Sequence, residues 1–117
     1  MSLDQFVACR RAPKLPDDLP RAAEWRLSMF EGERIHTFKG KDWLINMMIE
    51  PEFPEELREQ LVDDLEDAGI EDAKPAEYGV LISVSLEPMR AGEEAIDAFE
   101  AILDMLVETC DGVVMAN

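Results

Sequence analysis

Two cysteines, one histidine, six glycines and four lysines among 117 residues leave little material for several common chemistries. A structural or catalytic zinc site draws on several Cys and His ligands, and His36 with two cysteines remote in sequence supplies too few. Cys9 and Cys110 lie near opposite ends of the chain. A redox bridge between them would tie the N-terminal segment to the last helix. In a reducing compartment the plainer expectation is two small buried apolar residues. The glycines are each accounted for by a turn or a helix end, so neither a phosphate-binding glycine loop nor a nucleophile elbow is present. No apolar run approaches the roughly 18 residues that span a bilayer. The opening Met1-Ser2-Leu3-Asp4-Gln5-Phe6 lacks the basic and apolar segments of a secretory signal. The expectation is a cytoplasmic protein with no metal, no cofactor and no catalytic constellation.

Positive charge is the scarcest commodity. Eleven Lys/Arg against 27 Asp/Glu give a net charge of −16. The imbalance is uneven: residues 1–45 hold eight Lys/Arg and seven Asp/Glu, residues 46–117 only three (Arg58, Lys74, Arg90) against twenty. Such a field repels nucleic-acid phosphate and anionic lipid, so neither nucleic acid nor membrane is an expected partner. With 47% hydrophobic and 32% charged residues the chain has enough apolar content to fold, and its length suits one domain over residues 1–117.

Periodicity places the elements. Ser2 and Gln5 have capping-box spacing, whereas residues 6–9 are β-prone, so the start reads equally as a short helix or a strand. Pro13, Pro16 and Pro20 enforce an extended surface arm over residues 11–22. Trp25, Leu27 and Met29 then alternate with Arg26 and Ser28. A turn at Glu31-Gly32-Glu33 leads into residues 34–38, and Lys39-Gly40-Lys41 into residues 42–50, where Asn46 interrupts an apolar run. This is the pattern of a three-stranded antiparallel meander. Pro54 opens a helix over about 54–68, with Leu57, Leu61, Leu65 and Ala68 on one side, and Gly69-Ile70 as its Schellman ending. Residues 78–86 form the clearest strand. A second helix over about 91–110 carries Ile96, Phe99, Leu103, Leu106 and Cys110 in one stripe. Residues 113–115 follow as a short strand, completing a β-α-β unit. The expected fold is α+β: an antiparallel or mixed sheet of five to six strands with two helices on one face.

The second helix holds the sharpest feature. Glu93, Asp97, Glu100, Asp104 and Glu108 share its outward side, and no Lys or Arg occurs in residues 91–117. Like charges at i,i+4 are unfavourable, as are anions at a helix C-terminus. The first helix repeats the choice with Glu55, Glu59 and Asp63. Three accounts compete: a surface kept acidic for a basic protein partner, a solvated face in an acidic proteome, or a metal-binding or catalytic use of the carboxylates. Asp64-x-Glu66-x-x-Gly69 resembles the start of a calcium loop but places Ala68, Glu71 and Pro75 where ligands or an apolar residue belong, so the match fails. His36 reads as a side chain presented from a sheet face. Trp25, Trp43, Phe30, Phe38 and Phe53 read mostly as core, and one of Met47 and Met48 is expected to be exposed, on a face suited to a homodimer. The functional expectation is a binding protein, an inhibitor, immunity or adaptor protein for a basic partner. The alternative is a small enzyme or ligand-binding domain using His36 or a buried carboxylate.

Overall fold

The structure, a computed structural model, describes residues 2–15, 17–70, 74–88 and 92–115. Pro16 of the arm, Glu71 and the expected helix start at residue 91 lie outside the described residues. Among the described residues six strands form one sheet: β1 (Leu3–Cys9), β2 (Arg26–Phe30), β3 (Glu33–Lys39), β4 (Leu44–Glu50), β5 (Val80–Glu87) and β6 (Gly112–Met115). Two helices accompany them, α1 (Arg58–Asp67) and α2 (Glu93–Thr109). The strand order is β2-β3-β4-β5-β1-β6, every neighbouring pair antiparallel. The fold is thus α+β, with the meander β2–β4 followed by β5-α2-β6. Since β1 runs antiparallel to both β5 and β6, those two strands are mutually parallel and β1 lies between them. None of the described helices is long and apolar enough to cross a membrane.

The ambiguous N-terminus is a strand because partners on both sides satisfy its backbone groups, which outweighs the local capping signal. The β2–β3 connection is the two-residue turn Glu31-Gly32, whose φ angles of 50° and 83° match type I′; Glu33 already belongs to β3. A 3₁₀ turn, Glu55–Leu57, follows Pro54, so α1 begins a turn later than the sequence suggests. It ends as expected. Ile70 N–H donates to Leu65 O and Gly69 N–H to Glu66 O, both at 3.0 Å, with Gly69 at φ 75°.

The helices do not share a face. Successive strand residues point to opposite sides, and Val7, Cys9, Ile82, Val84, Ile45 and Met47 pack with Phe99, Ile102 and Leu106 of α2. Ala8, Leu81, Val113 and Met115 pack instead with Leu61 and Leu65 of α1, joined by Phe53 and Tyr78. The expected placement on one face is therefore corrected: α1 and α2 sandwich the β5-β1-β6 part of the sheet. The reason is visible in β5 and β1, which are apolar on both sides where they meet (Leu81 and Ile82, Val7 and Ala8). Each face there needs its own cover.

Arg58 fastens α1 to the sheet. Its Nη1 donates to the carbonyls of Pro75 and Tyr78, the latter at 2.9 Å, while its guanidinium lies 4.6 Å from the Phe53 ring centre. The arm crosses the α2 face of the meander, burying Pro13 and Leu19 and packing Leu15 against the core. Trp25 Nε1 donates to Pro20 O at 2.9 Å and closes the arm onto β2. Met47 is fully buried, whereas Met48 is half-buried on the α1 side.

Candidate functional site

Glu93, Asp97, Glu100, Asp104 and Glu108 are all exposed on α2, and among the described residues none is in an ion pair. Glu55, Glu59 and Asp63 are exposed too, with Glu55 3.7 Å from Arg58. Because the helices flank the sheet from opposite sides, these eight carboxylates form two ridges.

The arginines near the chain start do not neutralise either ridge. Arg10 pairs with Glu77 at 3.4 Å and lies over the Tyr78 ring; Arg11 pairs with Asp111 at 3.1 Å. Arg11 Nη2 also donates to Thr109 O at 3.0 Å, satisfying a carbonyl at the negative end of α2. Arg21 is bound by Glu24 through Nε and Nη2. These cations staple backbone ends and loops, and the outer side of α2 keeps its charge.

Beside that ridge lies a recess of about 280 Å³. Its floor and walls come from Trp25, Phe38, Trp43 and Ile45 of the meander and from Ala98, Ala101 and Ile102 of α2, with Glu94 and Asp97 at the mouth. The rings form a connected stack: Trp25 and Phe38 centroids are 5.5 Å apart, Phe38 and Trp43 5.6 Å. Arg21 lies 5.0 Å over Phe38, and its positive form is favoured first by the hydrogen bond it donates to Glu24 and additionally by the charges of Glu24 and Glu94. The recess exists because two small residues, Ala98 and Ala101, face the large rings. Asp97 belongs to both features, the acidic ridge and the recess. The sequence marked the ridge, but treated the aromatics as core; only the alanines one turn apart hinted at a hollow.

A second, larger groove of about 820 Å³ runs between the arm and the far end of the meander. Pro13, Leu15, Trp25, Leu27 and Ile49 give it an apolar lining, and Glu33, Arg34, His36 and Glu50 add charge and a ring nitrogen. His36 is 9% exposed, and burial, followed by the Arg34 charge, lowers its pKa. The imidazole is accordingly neutral at physiological pH. Among the described residues the buried carboxylate is Asp64, on α1 and hence across the sheet from His36, so the two do not form an acid–base pair.

Cys9 and Cys110 are free thiols in the same core cluster. Burial first, then the neighbouring Cys110, pushes the Cys9 thiol up to about 12. Among the described residues no group of three or more His, Cys, Asp or Glu is placed to hold a metal ion. Comparison with protein-family models, with curated proteins and with solved structures returns no match for this chain.

Proposed function

We propose that the chain is a binding protein whose α2 ridge docks a basic protein surface, in the manner of an inhibitor, immunity or adaptor protein. The observation that carries this reading is the position of Asp97 and Glu94 at the mouth of the aromatic recess. Charge alone steers an encounter and gives little specificity; an adjoining pocket for one anchoring side chain supplies the hot spot that fixes register. An arginine suits the recess, because its planar cation stacks on rings while carboxylates meet its donors. Arg21 already lies over the Phe38 ring there from within the chain, its donors held by Glu24 beside the recess.

The test compares charge-matched variants against one defined probe, an arginine-rich amphipathic peptide, by titration calorimetry at several salt concentrations. Replacing Asp97, Glu100 and Asp104 by Asn or Gln is expected to weaken binding at least tenfold. Replacing Glu55, Glu59 and Asp63 removes the same charge from the other side of the sheet and should cost far less. Ala98→Gln, which fills the recess, should weaken binding at unchanged net charge. Equal losses from the two charge sets would reduce the ridge to general acidity.

A second reading rests on the larger groove. Its apolar lining between Arg34 and the carboxylates of Glu33 and Glu50 suits a small zwitterion with an apolar body. His36 is the sole histidine, so its ring-proton resonance reports occupancy directly. Titration with free leucine or phenylalanine should shift it; an unmoved resonance at saturating concentration removes this reading.

A further inference from the structure

The meander ends in an edge that is poorly protected. All five residues of β2 are exposed, with Leu27 at 56%, Met29 at 61% and Phe30 at 62%. Strand edges of this kind normally carry Lys, Pro or a bulge to prevent pairing, and here Arg26 is the single charge on β2. The two-residue turn makes Phe30 and Glu33 the hydrogen-bonded closing pair. By alternation, Ser28 and Arg26 also bond towards β3, and the N–H and C=O groups of Leu27 and Met29 point away from the sheet.

We propose that this edge pairs with β2 of a second copy, antiparallel and centred on Ser28. That register places Leu27 opposite Met29 of the other copy, and each such pair exchanges both of its N–H···O bonds. Arg26 falls opposite the other copy's Phe30, a cation against a ring, and Ser28 opposite Ser28. The strand reads the same way through the two-fold axis: apolar meets apolar, charge meets aromatic face, small meets small. No like charges oppose one another. In an antiparallel pair the matching faces stay together, so Leu27 and Met29 of both copies extend one apolar strip beside the two larger grooves.

Charge also selects this edge. The meander is charge-balanced, with Arg26, Arg34, Lys39 and Lys41 against Glu31, Glu33, Asp42 and Glu50, while the carboxylate ridges lie on helices whose main strand contacts are with β1, β5 and β6. Joining through β2 leaves α1 of each copy, which packs beside β1, β5 and β6, away from the two-fold axis, while α2 reaches the meander only with its N-terminal half. Joining through β6, the other edge, would bring the helices of both copies together. A two-fold contact of one copy with another is also the commonest symmetric assembly.

Sedimentation velocity on the full chain over a range of concentrations tests this. The expected result is a reversible shift from 13.2 kDa towards twice that mass, strengthened by added salt because both copies are anionic. Peptide docking on α2 responds to salt in the opposite sense, so failure of one reading leaves the other distinguishable. Met29→Pro removes an outward N–H that β3 does not use and should abolish association while circular dichroism stays native. Leu27→Lys with Met29→Lys provides a second route if the proline variant folds poorly. Ser28→Cys should form an intermolecular disulfide on mild oxidation, since Cys9 and Cys110 are buried. A mass of 13.2 kDa at every concentration overturns the proposal. So does a dimer that survives both β2 variants, or one cross-linked by Met48→Cys on the α1 side and not by Ser28→Cys.

Discussion

Thr37 Oγ1 donates a hydrogen bond of 2.7 Å to Asn46 Oδ1 across the β3–β4 pair. Asn46 is the one polar residue inside the run Leu44-Ile45-Asn46-Met47-Met48-Ile49, and the two side chains lie directly opposite in register. Thr37→Val is expected to cost about 1 kcal/mol, because the half-buried amide loses its partner. Asn46→Val in the same background should recover most of that loss. A double-mutant cycle measured by urea unfolding checks it, with a coupling near zero as the contrary result.

Glu31 holds a left-handed conformation, φ 50°, that suits Asn or Gly and costs other residues about 1 kcal/mol. Glu31→Asn should therefore stabilise the hairpin by about 0.5–1 kcal/mol, and thermal unfolding should move upward by a few degrees. An unchanged or lower midpoint would mean that the Glu31 side chain contributes something the turn geometry does not reveal.

With its thiol pushed up to about 12, Cys9 presents almost no thiolate at pH 8. Cys110 is shifted in the same direction, first by burial and then by Asp18. Alkylation by iodoacetamide should be at least a hundredfold slower in the native protein than in guanidinium chloride, followed by intact mass. Fast native labelling of either residue would contradict the packing around them.

The lowered pKa of His36 gives stability a definite pH dependence. Below about 6.5 the unfolded chain takes up a proton that the folded ring resists, so unfolding gains protons there. The contribution of His36 is level above that value and declines as pH falls towards the lower folded-state value. Urea midpoints of the wild type and His36→Gln, compared at pH 7.5 and 5.5, should converge or cross as pH drops. A constant gap between them would place the ring in water.

Much of the fold was legible where the cause is local. Trp25, Leu27 and Met29 alternate because one side of β2 continues the apolar face, and Gly69-Ile70 closes α1 through backbone geometry that glycine alone allows cheaply. Strand β1 was ambiguous because its partners, β5 and β6, are distant in the chain and nothing nearby dictates its conformation. The side taken by each helix was hidden for a related reason. Leu81 and Ile82 are equally apolar, so β5 announces that both faces need cover without saying which helix supplies it. The ridge from Glu93 to Glu108 followed from helical spacing alone. The recess beside it did not, because Trp25, Phe38 and Trp43 come from three strands or their flanks and only tertiary packing brings them against Ala98 and Ala101.

The position of β1 has a consequence for the order of events during biosynthesis. Leu3–Cys9 emerges well before the strands it pairs with, Val80–Glu87 and Gly112–Met115. At about 5–20 residues per second, the interval before β5 is available is on the order of ten seconds. Throughout it, Phe6, Val7 and Ala8 are without their native cover. The meander can close early from its own short turns, but completion of the sheet waits on contacts between remote segments, the kind that make folding slow.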